Sequence, residues 1–295
     1  MMIPLQYEGD VYRPPSEAKS LILQATIGCS HNRCTFCGMY KKKKFRLRSL
    51  EEIEQDIEQV SRFLPHTRRI FLADGNALVI PTGRLLQILQ SLGRAFPKLE
   101  RVAVYGNPQD LLEKNVRELQ ELRSCKLGIV YLGLETGSAK VLQDIKKGVT
   151  PAEIAAGTAK ARKAGLPLSI TVLNGLAGLE GSEEHARESA RLLNQIDPEY
   201  LGLLSLMPVP GTTTHRQFEQ GKLTPLSPWQ LLEEIRMMVE GLDLTHCVFR
   251  ANHASNYLPI KAVLSRDREA LLAELDRVLA QKAPGALKSE FLRGL

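Results

Sequence analysis

Apolar and polar positions along this chain switch repeatedly between two periods, and the switching predicts its architecture. Short apolar runs rich in β-branched residues occupy 20–27, 69–74, 101–105, 128–135, 166–173 and 199–206, each with the length of a buried strand. Between them, apolar residues at helical spacing predict helices over 50–63, 82–95, 108–122, 139–145 with 152–164, and 183–195. In the first helix Leu50, Ile53, Ile57 and Val60 share a face, Ser49 stands at the N-cap and Glu52 at the capping-box position. Strands that alternate with helices pair in parallel through right-handed crossovers, so the chain reads as an α/β fold with six β/α units. Beyond Met207 the rhythm changes to a Pro/Gly/Thr loop, a helix over 229–241, a strand-like 247–250 and a helix over 266–282. Residues 1–19 read as an irregular arm, because Tyr12-Arg-Pro-Pro-Ser16 does not continue a helix. The expected division is the arm 1–19, a core over 20–210 and a C-terminal α/β extension over 211–295.

Composition adds little to this picture and contradicts none of it. With 295 residues, 43% hydrophobic and 24% charged, the chain suffices for one large core or for two domains. No apolar run approaches the roughly 20 residues of a membrane helix. The first residues lack a basic stretch followed by an apolar one, so a cytoplasmic protein with reduced thiols is expected. The net charge is +6, and much of the excess sits in Lys41-Lys-Lys-Lys-Phe-Arg-Leu-Arg48. That run reads either as a patch for an anionic partner or as a solvated loop leading into the next helix.

The chemistry concentrates where the first strand ends, at Gly28. Three of the five cysteines follow within nine residues, in Cys29-Ser-His-Asn-Arg-Cys34-Thr-Phe-Cys37. An odd trio gives no disulfide framework. Thiolates gathered on one loop suit a soft metal or an iron–sulfur cluster. His31 would complete a Cys3His zinc set. A [4Fe–4S] cluster held by three cysteines instead keeps one iron open for a small molecule.

The trio, with Phe36 inside its last CxxC and an apolar strand before it, resembles the cluster loop of the radical S-adenosylmethionine (radical SAM) superfamily. The usual spacing there is CxxxCxxC; this chain has CxxxxCxxC. The resemblance implies a partial (β/α)6 TIM-type barrel with a C-terminal α/β extension that closes its mouth. It implies a [4Fe–4S] cluster on Cys29, Cys34 and Cys37, and S-adenosylmethionine as the second cofactor. The remaining site residues follow from the strand ends, where β/α loops collect. Asp74, Gly75 and Asn76 stand where the superfamily has Gly-Gly-Glu for the methionine amino group, or else form an ordinary strand-ending turn. Asn107 ends the third strand. Glu135, in Gly-Leu-Glu-Thr-Gly, is similar to a carboxylate that meets the ribose or methionine part; the alternative is an ion pair with Lys146 or Lys147. Thr171, Asn174 and Gly178 lie in a segment that resembles GxIxGxxE and ends at Glu180. Met207 follows the sixth strand, near which Phe36 packs against adenine or into the core.

The segment from Phe249 to Lys261 is dense in planar polar side chains, which suggests either a substrate-touching closure or a turn network. Arg250, Asn252, His253, Asn256 and Tyr257, with Tyr105, form the candidate substrate set. Tyr105, Tyr257 and Cys247 are candidates to return a hydrogen to the substrate, and Cys125 reads as inert. The segments Tyr-Arg-Pro-Pro-Ser-Glu, Asp-Gly-Asn-Ala-Leu and Asn-His-Ala-Ser-Asn-Tyr resemble stand-alone members of the superfamily, some labelled oxygen-independent coproporphyrinogen oxidases. The cluster motif of those oxidases continues with another cysteine, where this chain has Gly38-Met39. A neighbouring branch cleaves a modified deazaguanine base. The expected function is reductive cleavage of S-adenosylmethionine and hydrogen abstraction from a small, polar or anionic substrate, with flavodoxin or ferredoxin as electron donor. The rivals are a deazaguanine lyase, a zinc-stabilised nucleic-acid-binding protein and a scaffold of the same superfamily that has lost its reaction and senses cofactor or redox state; beyond the zinc rival no nucleic-acid or membrane partner is expected.

Overall fold

The computed structural model describes residues 5–294; residues 1–4 of the expected arm and residue 295 of the expected extension lie outside them. The first half of the chain forms β1 Leu21–Gln24, β2 Thr26–Ile27, β3 Arg46–Leu47, α1 Leu50–Phe63, β4 Arg69–Ala73, α2 Thr82–Ala95, β5 Arg101–Gly106, α3 Pro108–Glu113, α4 Val116–Ser124 and β6 Leu127–Glu135. The second half forms α5 Ala139–Asp144, α6 Pro151–Lys163, β7 Leu168–Asn174, α7 Gly178–Ile196, β8 Tyr200–Ser205, α8 Thr213–Glu219, α9 Pro228–Gly241, β9 Val248–Ala251, β10 Ile260–Val263 and α10 Leu264–Gln281.

The main sheet has eight strands in the order β1-β4-β5-β6-β7-β8-β9-β10. The pairs β1–β4, β4–β5, β5–β6, β7–β8 and β8–β9 are parallel, and β10 runs antiparallel to β9. The expected α/β alternation is therefore present, with all six core strands in place. Helix α1 has the expected bounds and its Ser49–Glu52 capping box, and Ile53, Ile57 and Val60 are buried.

Four local expectations are corrected. The run 20–27 is two strands, because Ala25 donates to Ala73 and accepts from Arg48, after which β2 leaves the main sheet to pair antiparallel with β3. The helix expected over 108–122 is broken at extended Lys114; Asn115 starts α4 with its own capping box, its side chain accepting from the Glu118 amide. Helix α7 starts at Gly178 rather than 183, where φ is +67° and the next amide donates to the Thr224 carbonyl. Helix α8 falls in the stretch read as a Pro/Gly/Thr loop, and strand β10 begins at the end of the polar segment Phe249–Lys261, where no strand is expected.

The chain divides into two compact units. One takes in the chain up to Asn32, Met39–Leu132 and Ala156–Leu168; the other takes in Arg33–Gly38, Gly133–Ala155 and everything from Ser169. In the first, register aligns Ile22 with Phe71, Phe71 with Ala103, Ala103 with Ile129 and Tyr105 with Tyr131, and these side chains pack as one cluster. Its rings meet edge to face, Phe71 and Tyr105 at 4.9 Å between centroids. The fully buried Glu17 carboxylate accepts from Tyr131 Oη at 2.7 Å and also from Arg101 and Ser20. In the second unit Val141, Ile145, Leu176 and Leu206 form a cluster that Phe36, Leu173 and Phe218 join. Helix α9 packs along α7.

Candidate active site

The β2–β3 ribbon delivers the cysteine loop to the end of β4. Gly28, at φ +73°, turns the chain there, and its carbonyl accepts the Gly75 amide at 3.0 Å. Asp74 is fully buried, and its carboxylate is directed into the protein. Oδ2 accepts the Gly28 amide at 3.0 Å, the Gln24 amide group at 3.2 Å and Lys43 Nζ at 2.9 Å. The next residue touches the first cysteine: a Cβ on Gly75 would lie 2.8 Å from Cys29 Cβ. Asn76, also fully buried, accepts the Ser30 amide at 3.0 Å through Oδ1. Its Nδ2 donates to Ser30 Oγ at 2.7 Å and to the Asp110 carboxylate at 3.1 Å. Burial pushes Asp110 up to about 6, against the lowering effect of the Asn107 amide and the Asn76 side chain. Asn107 caps α3, and its Nδ2 lies 3.9 Å from Cys29 Sγ. Tyr105 is half-buried in the aromatic cluster, and burial raises its phenol above the ordinary range.

The basic run is largely engaged with neighbours of this loop. Lys43 reaches Asp74 and the Asp10 carbonyl, Lys41 donates to the Asn32 carbonyl, Arg46 pairs with Glu8 and Glu52, and Arg48 pairs with Asp56. Lys42 and Lys44 are exposed.

Within the second unit the rest of the loop is held by Thr35, whose amide donates to the Ile145 carbonyl and whose carbonyl accepts from Thr214. Phe36 packs against the cluster of Val141, Ile145, Leu176 and Leu206, and Gly38 fits closely against Val209. Glu135 adopts φ +66° and pairs with Lys147 at 2.9 Å, the ion pair raised as an alternative. Thr171 is half-buried on β7, Asn174 is buried at its end, and Met207 is half-buried just past β8. Gly178 is the first residue of α7 rather than part of a loop, and the exposed Glu180 carboxylate accepts from Thr224 Oγ1 at 2.7 Å.

The polar segment after β9 is mostly bound to its own surroundings. Asn256 is buried and joined to Ser205 Oγ and the Leu203 carbonyl, both at 2.8 Å. His253 Nδ1 lies 2.9 Å from Ser255 Oγ, and burial lowers its pKa. The Tyr257 hydroxyl contacts Glu290, and Arg293 stacks 4.4 Å over its ring. Arg250 donates to the Phe249 and Ala262 carbonyls, while Asn252 is exposed. Cys247 is fully buried, and burial beside Asp197 and Glu199 pushes its thiol up to about 12. Cys125 is half-buried at the end of α4.

The donor chemistry fits a thiophilic group. Cys29, Cys34 and Cys37 are each half-buried, and among the described residues no disulfide joins any cysteine. Among the described residues, no three His, Cys, Asp or Glu side chains converge to hold a metal, those of this loop included, so the assignment of the trio rests on its chemistry and spacing. No helix among these residues is long and apolar enough to cross a membrane. Supporting residues that sequence reasoning did not single out are Asp110, His185 and Glu234, while Lys43 is read there only as part of the basic run. Of these only Asp110 carried a local signal, standing three residues after Asn107 in a second capping box.

The chain is 27% identical over 150 residues to a Methanocaldococcus jannaschii protein named as a methylthiotransferase, covering 47% of this chain and 31% of that one. It is 27% identical over 148 residues to 4′-phospho-dehydrooxetanocin synthase of Priestia megaterium, covering 44% and 20%. It thus matches about a third or less of the length of these curated relatives. Among solved structures, coproporphyrinogen III oxidase of Escherichia coli, a radical SAM enzyme, superposes with a TM-score of 0.59 at 18% identity, over 75% of this chain and 51% of that one. Methylornithine synthase superposes with a TM-score of 0.52 at 16% identity, over 76% and 63%. These likenesses identify the fold as the partial TIM barrel of such enzymes. The radical SAM family description matches residues 23–193, more than half of the sequence, and the chain therefore belongs to the radical SAM superfamily.

Proposed function

We propose that this chain cleaves S-adenosylmethionine reductively at a [4Fe–4S] cluster ligated by Cys29, Cys34 and Cys37, and that it acts on a small-molecule substrate. The superfamily uses this cluster and this cofactor, which replaces the zinc reading of the loop. The observation that carries the proposal is a set of three half-buried thiols, at CxxxxCxxC spacing, on the loop that follows the first strand of such a fold. Cys29, Cys34 and Cys37 would hold the cluster, which would supply the electron for reductive cleavage of S-adenosylmethionine bound beside it.

The chain's own residues hold and orient. Asn76 and Asp110 fix Ser30 beside the first ligand, and Gly75 leaves room for Cys29. Asp74, held by Lys43, fixes the Gly28 amide, so its role here is to brace the loop while the Gly75–Asn76 backbone faces the cofactor. Asn107 offers an N–H toward the Cys29 sulfur. Phe36, Glu135, Thr171, Asn174, Gly178 and Met207 are assigned to the nucleoside and methionine parts, because they lie on or beyond strands of a parallel sheet near their C-terminal ends or pack against them. We further assign residues 20–210 to the catalytic core, with Tyr105 as its candidate substrate contact, and 211–295 to a substrate-side extension, with Arg250, Asn252 and His253 as its polar contacts. A flavodoxin- or ferredoxin-type donor and a cytoplasmic setting complete the proposal.

Anaerobic reconstitution tests it. The expected result is a brown protein with about four irons and absorption near roughly 400 nm, releasing 5′-deoxyadenosine when reduced with S-adenosylmethionine. Alanine at Cys29, Cys34 or Cys37 is expected to abolish that release. Colourless protein with one zinc, or a cysteine variant that keeps releasing deoxyadenosine, would overturn the assignment.

A further inference from the structure

The loop after β7 is gripped by a carboxylate that no local motif announces. Glu234, on α9 and beyond the matched residues 23–193, is fully buried. Its Oε1 accepts the Gly175 amide at 2.6 Å, and its Oε2 accepts Ser182 Oγ at 2.5 Å. Glu180, the carboxylate nearest in sequence to this loop, is exposed and bonded to Thr224 instead. Beside Glu234 lies the fully buried His185 of α7, with Nε2 3.7 Å from Oε1. Burial holds this imidazole below its ordinary range despite the adjacent carboxylate, so near pH 7 it is neutral. Its Nδ1 lies 2.8 Å from Thr136 Oγ1, which also accepts the Ser138 amide at 3.1 Å.

Glu234 thus holds the loop after β7 directly, while the loop after β6 is held by His185, whose Nε2 makes no hydrogen bond to Glu234. Gly175, at φ +78°, sits between Asn174 and Gly178; Thr136 and Ser138 directly follow Glu135. Asn174 is fully buried, and its Oδ1 has no hydrogen-bond partner among the described residues, so a shift at Gly175 redirects an acceptor as well as the backbone. A buried carboxylate is costly unless its donors are well placed. Here the donors are a loop amide and a helix hydroxyl, and the group they stabilise sets the loop's conformation.

We propose that Glu234 is a positioning residue for S-adenosylmethionine: from α9 it fixes the Gly175 amide, so that the loop after β7 meets the cofactor preformed. This rests on the functional reading above, in which these strand ends face the cofactor. It places an affinity determinant of the cofactor in the C-terminal extension.

The test is anaerobic equilibrium dialysis of S-adenosylmethionine with the reconstituted full chain, alongside iron content, thermal melting and amide exchange over 174–178. E234Q keeps a neutral acceptor for the Gly175 amide and should bind within about threefold of wild type, while E234A should bind at least about tenfold more weakly at unchanged iron content. The Gly175 amide should exchange faster in E234A and remain protected in E234Q. If E234A yields no folded protein, E234D, which withdraws the carboxylate by one methylene, takes its place with the same expectation. Folded E234A or E234D with wild-type affinity would overturn the proposal. Wild-type protein that carries its cluster but takes up no S-adenosylmethionine would overturn the functional reading itself, and that outcome is distinct from a failure at Glu234 alone.

Discussion

Lys43→Met removes one charge from beneath the cysteine loop and leaves the length of the side chain nearly unchanged. Lys43 Nζ lies 2.9 Å from Asp74 Oδ2, with side chains 10% and 0% exposed, so the pair is shielded from solvent. Losing one partner of a buried ion pair costs about 3–5 kcal/mol, because the other charge is left uncompensated. Asp74 keeps two neutral donors, the Gln24 amide group and the Gly28 amide, which places the expected loss near the lower end, about 3 kcal/mol. The loss should also reach the ligand loop, since the same Asp74 oxygen holds Gly28, the neighbour of Cys29. Urea unfolding of the apoprotein near pH 7 measures the first effect, and iron uptake during anaerobic reconstitution measures the second. K43M/D74N, which removes both charges, should recover part of the loss, and K44M, at an exposed lysine, should change stability by less than about 0.5 kcal/mol. If K43M unfolds at the same urea concentration as K44M and loads the same iron, the basic run is a solvated loop and the bracing argument is wrong.

Two further outcomes follow from the same region. In G75A the new Cβ would lie 2.8 Å from Cys29 Cβ, 2.9 Å from Tyr40 Cε2 and 3.1 Å from Cys29 Cα. A loss of about 1–3 kcal/mol and reduced iron content are expected, whereas G93A, with open space in α2, should be neutral or stabilising; equal melting of the two variants would refute the close-packing argument. Asp110 titrates at about 6 when folded, against 3.8 ordinarily. The folded carboxyl thus holds its proton longer than the unfolded one, and its contribution to stability is present below about pH 4 and is lost as pH rises through about 6, amounting to about 3 kcal/mol. The stability of D110N relative to wild type should rise by about that amount between pH 4 and 7 in urea titrations; a difference that does not change with pH would contradict the burial.

What the sequence made legible was local. The capping box at Ser49 and the face of Ile53, Ile57 and Val60 specify α1 without help from the rest of the chain, and the structure reproduces its ends. The three cysteines announce themselves by spacing. The break between α3 and α4 is masked in the sequence because Leu111, Leu119 and Leu122 continue the apolar face across it, outweighing the Asn115–Glu118 box. Strand β10 is four residues long and exists by pairing with β9, which no local pattern encodes. The supports of the candidate site failed to show for a related reason. Lys43 meets Asp74 across 31 residues and Glu234 meets Gly175 across 59, so in sequence each is one more charged residue among 72. Partner choice at such separations is decided by the fold.

Cys247 has a practical consequence. It is fully buried, while the other four cysteines are half-buried residues. A colorimetric count of reactive sulfur on the native apoprotein therefore reads four, and the denatured total reads five. The difference is an internal standard against which occupancy of the loop can be followed without a metal assay.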